Sequence, residues 1–82
     1  MVTVDFERRP ELKAVFTKRE PQEILRQLEI VLQKRVIPKK TLLFLDEIQE
    51  CPDALIGLRY FRELIPDLHV IAAGSLLEFL LK

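Results

Sequence analysis

The sequence predicts an α/β fold, a three-stranded parallel sheet with flanking helices, on three observations. Three short apolar stretches (Val2 to Phe6, Leu42 to Leu45 and Val70 to Ala73) are separated by segments with helical spacing. Strands alternating with helices call for right-handed crossovers and a parallel sheet. Finally, Leu42-Leu43-Phe44-Leu45 is an unbroken apolar run, as expected of a parallel strand with helices over both faces.

Each element follows from its residues. Val2, Val4 and Phe6 alternate with Thr3, Asp5 and Glu7, the period of a strand, and Arg8-Arg9-Pro10 stops it. Pro10 is tolerated in a first helical turn, so a short helix with Leu12, Val15 and Phe16 on its buried stripe comes next. Glu20-Pro21 opens a longer one. Ile24, Leu25, Leu28, Val31 and Leu32 share one face, with Ile30 off it, and this helix is expected to end near Arg35. After the Leu42 to Leu45 strand, Cys51-Pro52-Asp53 forms a turn and helix start, with Pro52 or Asp53 near the cap. Leu55, Leu58, Phe61 and Ile65 line one face of that helix and Pro66 ends it. Val70 to Ala73 is the third strand, closed by Gly74-Ser75. Leu76, Leu77, Phe79, Leu80 and Leu81 then read as a helix start or an apolar tail.

Composition narrows the function. With 13 basic and 13 acidic residues the formal net charge is zero, and the basic pairs Arg8-Arg9, Lys18-Arg19, Lys34-Arg35 and Lys39-Lys40 read as solvated surface. Neither supplies the basic surplus of a nucleic-acid footprint. The most apolar segment, Leu68 to Leu81, holds His69 and Glu78 and falls short of the roughly 20 residues of a membrane helix. Cys51 is the single cysteine, which excludes an internal disulfide and fits a reducing compartment. Met1 leads directly into a strand pattern with no signal peptide, so a cytoplasmic location is expected. At 82 residues the chain makes at most one domain, and a domain of this size buries only about 60% of its unfolded surface.

Chemistry concentrates where the second strand ends. The run from Thr41 to Leu45 stops in Asp46-Glu47, and ligands of parallel sheets collect beyond the carboxyl ends of the strands. In metal-assisted phosphoryl transfer one carboxylate holds a hydrated magnesium ion and a second group positions the attacking water. Adjacent residues leaving a strand point in different directions, so Asp46 is suited to the metal and Glu47 to the water. Two acids after an apolar run also occur as the start of an ordinary polar loop. Ser75, ending the next strand, is placed for a hydroxyl hydrogen bond to a terminal phosphate; with Glu78 three residues later it equally reads as a capping box. Asp5 ends the first strand, where a turn role is the simpler account. Arg59 and Arg62 read as solvated helix residues. Cys51 lacks a base partner and reads as a loop thiol, and His69 has no metal-ligand spacing to a second His or Cys.

The combination TLLFLDEIQECP, then LRYF, then HVIAAGSLLEF resembles the ATPase core of a bacterial and archaeal AAA-type P-loop family. The resemblance extends to VTVDFERRPELK and so covers nearly all of the chain. It implies Asp46 as the Walker B magnesium ligand, Glu47 as the catalytic glutamate, Ser75 at the sensor position, and Mg2+ and ATP as the family's cofactors. Gln49 and Glu50 belong to the same wording without an implied role.

One departure is large. The family's GxxxxGK[ST] loop cradles the phosphates, whereas this chain has only Gly57 and Gly74, neither in such a pattern. The expectation is therefore a partial AAA-type domain over residues 1–82, carrying Walker B and sensor strands without a P-loop or lid. Such a chain is expected to be inactive alone; a GxxxxGK[ST] motif in the reading frame about 20–40 residues before Val2, the spacing of one strand-loop-helix unit, would show it to be a cut piece. In AAA-type sheets the P-loop strand lies beside the sensor strand, so without it Val70 to Ala73 is expected to be an open edge that self-associates, helped by Leu76, Leu77, Phe79 and Leu80. A stand-alone interaction module pairing through that edge is the alternative. An independent magnesium-dependent hydrolase ranks last, for want of a third ligand.

Overall fold

The computed structural model describes residues 1–75. The order of elements is strand β1 (Val2–Asp5), a 3-10 segment (Pro10–Thr17), helix α1 (Pro21–Leu32), strand β2 (Leu42–Asp46), a 3-10 turn (Ile48–Glu50), helix α2 (Pro52–Leu64) and strand β3 (His69–Ala72). The strands form one parallel sheet in the order β1-β2-β3. Val2 pairs with Leu43 and Leu43 with Val70; Val4 pairs with Leu45 and Leu45 with Ala72. The segment after Ser75, with the helix-or-tail reading and the Ser75–Glu78 capping box, lies outside the described residues.

Sequential strand order explains where the helices sit. Two right-handed crossovers in the same direction put both connections on one face of the sheet. Burial agrees: Val2, Val4, Leu43 and Leu45 are fully enclosed, whereas Thr3 is exposed, Phe44 is partly exposed and Ile71 is 49% exposed on the opposite face. The unbroken apolar run of β2 thus alternates in burial. Among the described residues, helices cover one face of it rather than both.

The core lies between that covered face and the helices. Phe6, Leu12, Phe16, Ile24, Leu28 and Ile48 are fully buried within it. Phe6 and Phe16 meet edge to face, with ring centroids 5.3 Å apart and planes at 75°, a favoured aromatic geometry. The 3-10 segment buries Leu12 and Phe16 and half-buries Val15, the expected stripe.

Helix α1 starts where the sequence places it. Glu20 is the N-cap, its carboxylate accepting the Gln22 and Glu23 N–H groups at 3.1 and 2.9 Å, which satisfies two of the donors that a helix start leaves free. The helix ends at Leu32, three residues before Arg35, because Gln33 takes the left-handed conformation with φ 55°. Beyond it Glu29 accepts the Val36 N–H at 2.9 Å, and Val36 folds back into the core. Val31, expected on the buried face, is 39% exposed.

Helix α2 differs in which side it buries. Its enclosed residues are Ala54, Gly57 and Phe61, one face at i, i+3 and i+7, while Leu55 and Leu58 are only partly buried. Gly57 is the reason. A Cβ there would meet the Phe16 ring at 3.5 Å, so the 3-10 segment packs close against the helix backbone, and small residues turn inward. Pro52 is the first helical residue and Cys51 occupies the cap position without a side-chain hydrogen bond. Asp53 does not cap; it pairs with Arg19 at 3.5 Å. Leu55 and Leu58 instead line an open groove of about 480 Å³ with Phe61, Leu68, Val70 and Ala72. The third strand begins and ends one residue before the expected Val70 to Ala73, and its outer edge pairs with no strand among the described residues.

Candidate functional site

The carboxyl ends of the three strands place Asp5, Asp46 and Ala73 side by side, and backbone hydrogen bonds fix the arrangement. Asp5 pairs in register with Asp46. The Phe6 N–H donates to the Asp46 carbonyl at 3.2 Å, the Ala73 N–H to the Leu45 carbonyl at 2.9 Å, and the Ile48 N–H to the Ala73 carbonyl at 3.0 Å. The segment leaving β2 is therefore bound to the end of β3. Ile48 and Cys51 are drawn into the core beneath it.

Asp46 is half-buried at the end of the central strand, and its Oδ1 accepts the Glu47 N–H at 2.9 Å. Glu47 then turns into the left-handed region, φ 54° and ψ 48°, a conformation that costs a side chain with a Cβ about 1–2 kcal/mol. The two carboxylates have different partners, a backbone N–H for Asp46 and a side-chain amide for Glu47. The Glu47 Oε2 accepts the Gln49 Nε2 amide at 2.6 Å, a short bond of the charge-assisted kind.

Gln49 was silent in the sequence, yet it makes the most specific contact of the site. Its Oε1 is buried without a hydrogen-bond partner and lies against Gly74, where an added Cβ would overlap it. The sequence carried one usable signal, a glycine immediately beyond a strand end, where close backbone approach is common. Ser75 is exposed, three residues beyond the end of β3, on the same edge of the sheet as Asp46.

The neighbouring candidates settle into structural roles. Asp5 closes the β1 turn, its Oδ1 accepting the Glu7 and Arg8 N–H groups at 3.0 Å each. Cys51 is 3% exposed, and burial pushes its thiol above the ordinary range. Such a thiol is a core residue rather than a nucleophile. His69 is exposed at the start of β3, and Arg59 and Arg62 are exposed on α2.

Among the described residues no three His, Cys, Asp or Glu side chains cluster as a metal cage. Magnesium rarely requires one: it keeps several waters and takes one or two carboxylates plus phosphate oxygens. A single strand-end carboxylate such as Asp46 fits that donor set. No described helix is long and apolar enough to cross a membrane.

Comparison with known proteins identifies a family. The family profile described as AAA domain matches residues 1–82, the whole of the chain. Comparison with curated proteins and with solved structures gives no match. A parallel sheet with carboxylates at its central strand end and a family match over the full length lead to one conclusion: the chain belongs to an AAA-type P-loop ATPase family.

Proposed function

We propose that this chain carries the metal- and water-handling half of an ATP-hydrolysing site, with Asp46 as the Walker B magnesium ligand, Glu47 as the catalytic glutamate and Ser75 as the sensor of the terminal phosphate. The observation that carries the reading is the different tethering of the two acids at the end of β2. Asp46 ends the strand with Oδ1 on the Glu47 N–H, while Glu47, in the left-handed region, is held by the Gln49 amide, so one acid is assigned to a cation and the other to a water.

Bound magnesium would neutralise charge on the phosphate oxygens. The remaining work falls to the chain's own groups. Asp46 would hold a hydrated cation through a carboxylate whose Oδ1 accepts the Glu47 backbone N–H. Glu47 accepts a hydrogen bond from the attacking water and orients it. Ser75 donates a hydroxyl hydrogen bond at the same sheet edge.

Because the sequence has no GxxxxGK[ST] loop, the chain alone lacks the backbone amides and lysine that grip the phosphates and is inactive by itself. Mn2+ is a suitable probe of the half-site. Paramagnetic broadening is expected at Leu45 to Glu47 and at Gly74 and Ser75, and Asp46→Asn is expected to abolish it. Broadening that ignores Asp46→Asn would remove the assignment, and micromolar Mg-ATP binding by calorimetry would remove the inactivity.

The outer edge of β3, unpaired among the described residues, together with the apolar groove beside it, favours a second reading. Here the chain is an interaction module in which two copies pair through β3, exposed edges being ready templates for strand addition. Sedimentation should then show a dimer that Ile71→Lys weakens. A monomer at high concentration argues against it.

A further inference from the structure

The Gln49 side chain is met from two sides, by the Glu47 carboxylate and by Gly74. Its Nε2 donates to Glu47 Oε2 at 2.6 Å across the 3-10 turn. Its Oε1 is buried and takes no hydrogen bond among the described residues. A buried acceptor without a donor is unfavourable, so the amide sits where it does because the carboxylate attracts its NH2 group and Gly74 leaves room for its oxygen. A Cβ at position 74 would overlap Oε1 and come within 3.1 Å of Cδ and 3.3 Å of the Ile48 nitrogen. The first two of these atoms belong to a flexible side chain, so a methyl there displaces Gln49 rather than the backbone.

We infer that Gln49 is a positioning residue that clasps the Glu47 carboxylate away from direct metal coordination, and that the clasp closes only because residue 74 is glycine. The inference rests on the reading of Asp46 and Glu47 given above. Gly74 adjoins Ser75, so a group that engages Ser75 and shifts the end of β3 acts on Gln49 and through it on Glu47. The clasp thus links the phosphate-sensing position to the water-orienting one through two side-chain contacts.

The test uses the chain itself and needs no turnover. Three variants separate the contributions: Gln49→Met keeps the size of the side chain and removes its amide, Gly74→Ala fills the space, and the double variant does both. Free Mn2+ measured by electron paramagnetic resonance should show each single change tightening binding by roughly threefold to tenfold, the lower part of the coupling range for residues in contact. The double variant should gain no more than either single one, since both open the same clasp. Adding Glu47→Gln to either should cancel the gain, a result that general loosening of the fold does not produce. Equal Mn2+ affinity in the wild type, Gln49→Met and Gly74→Ala would overturn the inference, and so would additive gains. Mn2+ binding that ignores Asp46→Asn would instead overturn the underlying reading of the site. The clasp then stands or falls on the Gln49 side-chain amide resonances, which should be dispersed in the wild type and collapse together in Glu47→Ala and Gly74→Ala.

Discussion

The Ile48 N–H donates to the Ala73 carbonyl at 3.0 Å, so the first residue of the turn after β2 is hydrogen-bonded to the residue just past β3. Ile48 is also fully buried. The turn bearing Glu47 is therefore an extension of the sheet, not a loose loop. Native-state hydrogen exchange checks this: the Ile48 amide is expected to exchange at the slow rates of Leu43 and Leu45, within about tenfold, as one cooperative unit. Fast exchange at Ile48 beside a protected β2 would show that the turn opens on its own.

Glu47 is held in a backbone conformation that glycine adopts freely. Replacing it with alanine or with glycine removes the same hydrogen bond from Gln49, but only glycine relieves the left-handed turn. Glu47→Gly is expected to be more stable than Glu47→Ala by about 1 kcal/mol, read from urea unfolding midpoints. Equal midpoints would mean that the chain after β2 relaxes out of the left-handed region.

Gly57 is the opposite case. It lies in the interior of α2 with no positive φ, and a Cβ there meets Phe16 at an ordinary 3.5 Å and Ile24 at 4.0 Å. Alanine favours a helix over glycine by about 0.8–1 kcal/mol. Gly57→Ala is expected to stabilise the chain by up to about 1 kcal/mol in thermal or chemical unfolding, and Gly57→Leu to destabilise it by driving Phe16 out of the core.

Burial raises the Cys51 thiol above its ordinary value of 9.0, which fixes the sign of its pH dependence. Below the unfolded-state value the thiol is neutral in both states and its contribution is complete. As pH rises through that value and on through the folded one, the unfolded chain releases the proton first and stability falls. The alkaline loss of stability should therefore be smaller in Cys51→Ala than in the wild type when urea unfolding is compared at pH 8, 9 and 10. The native thiol should also react slowly with aromatic disulfide reagents until the chain unfolds.

Much of this was legible in the residues, because strand and helix periods depend on local spacing. Val2 and Val4 alternate as a strand, Leu42 to Leu45 form the central one, and Asp46 stands where the strand ends. What escaped the sequence depends on contacts between elements. The early end of α1 is set by Gln33 in a conformation its residue type does not announce, together with the Glu29 bond to Val36. The buried side of α2 is decided by Phe16 lying on Gly57, so counting large apolar residues chose Leu55 and Leu58 over Ala54. Coverage of a single sheet face follows from strand order, which no periodicity encodes. Asp46 and Glu47 were visible as chemistry at a strand end, while the bond from Gln49 to Glu47 was not, because the space it needs is left by Gly74, distant in sequence.

Position 74 shows how an absent group can shape a site. The Gln49 amide oxygen lies where a Cβ on residue 74 would stand, and the same amide holds the Glu47 carboxylate. Under the clasp proposed above, a substitution at 74 leaves every acidic residue in the sequence untouched and still moves one of them, so two chains with identical carboxylates at the end of β2 can present them differently.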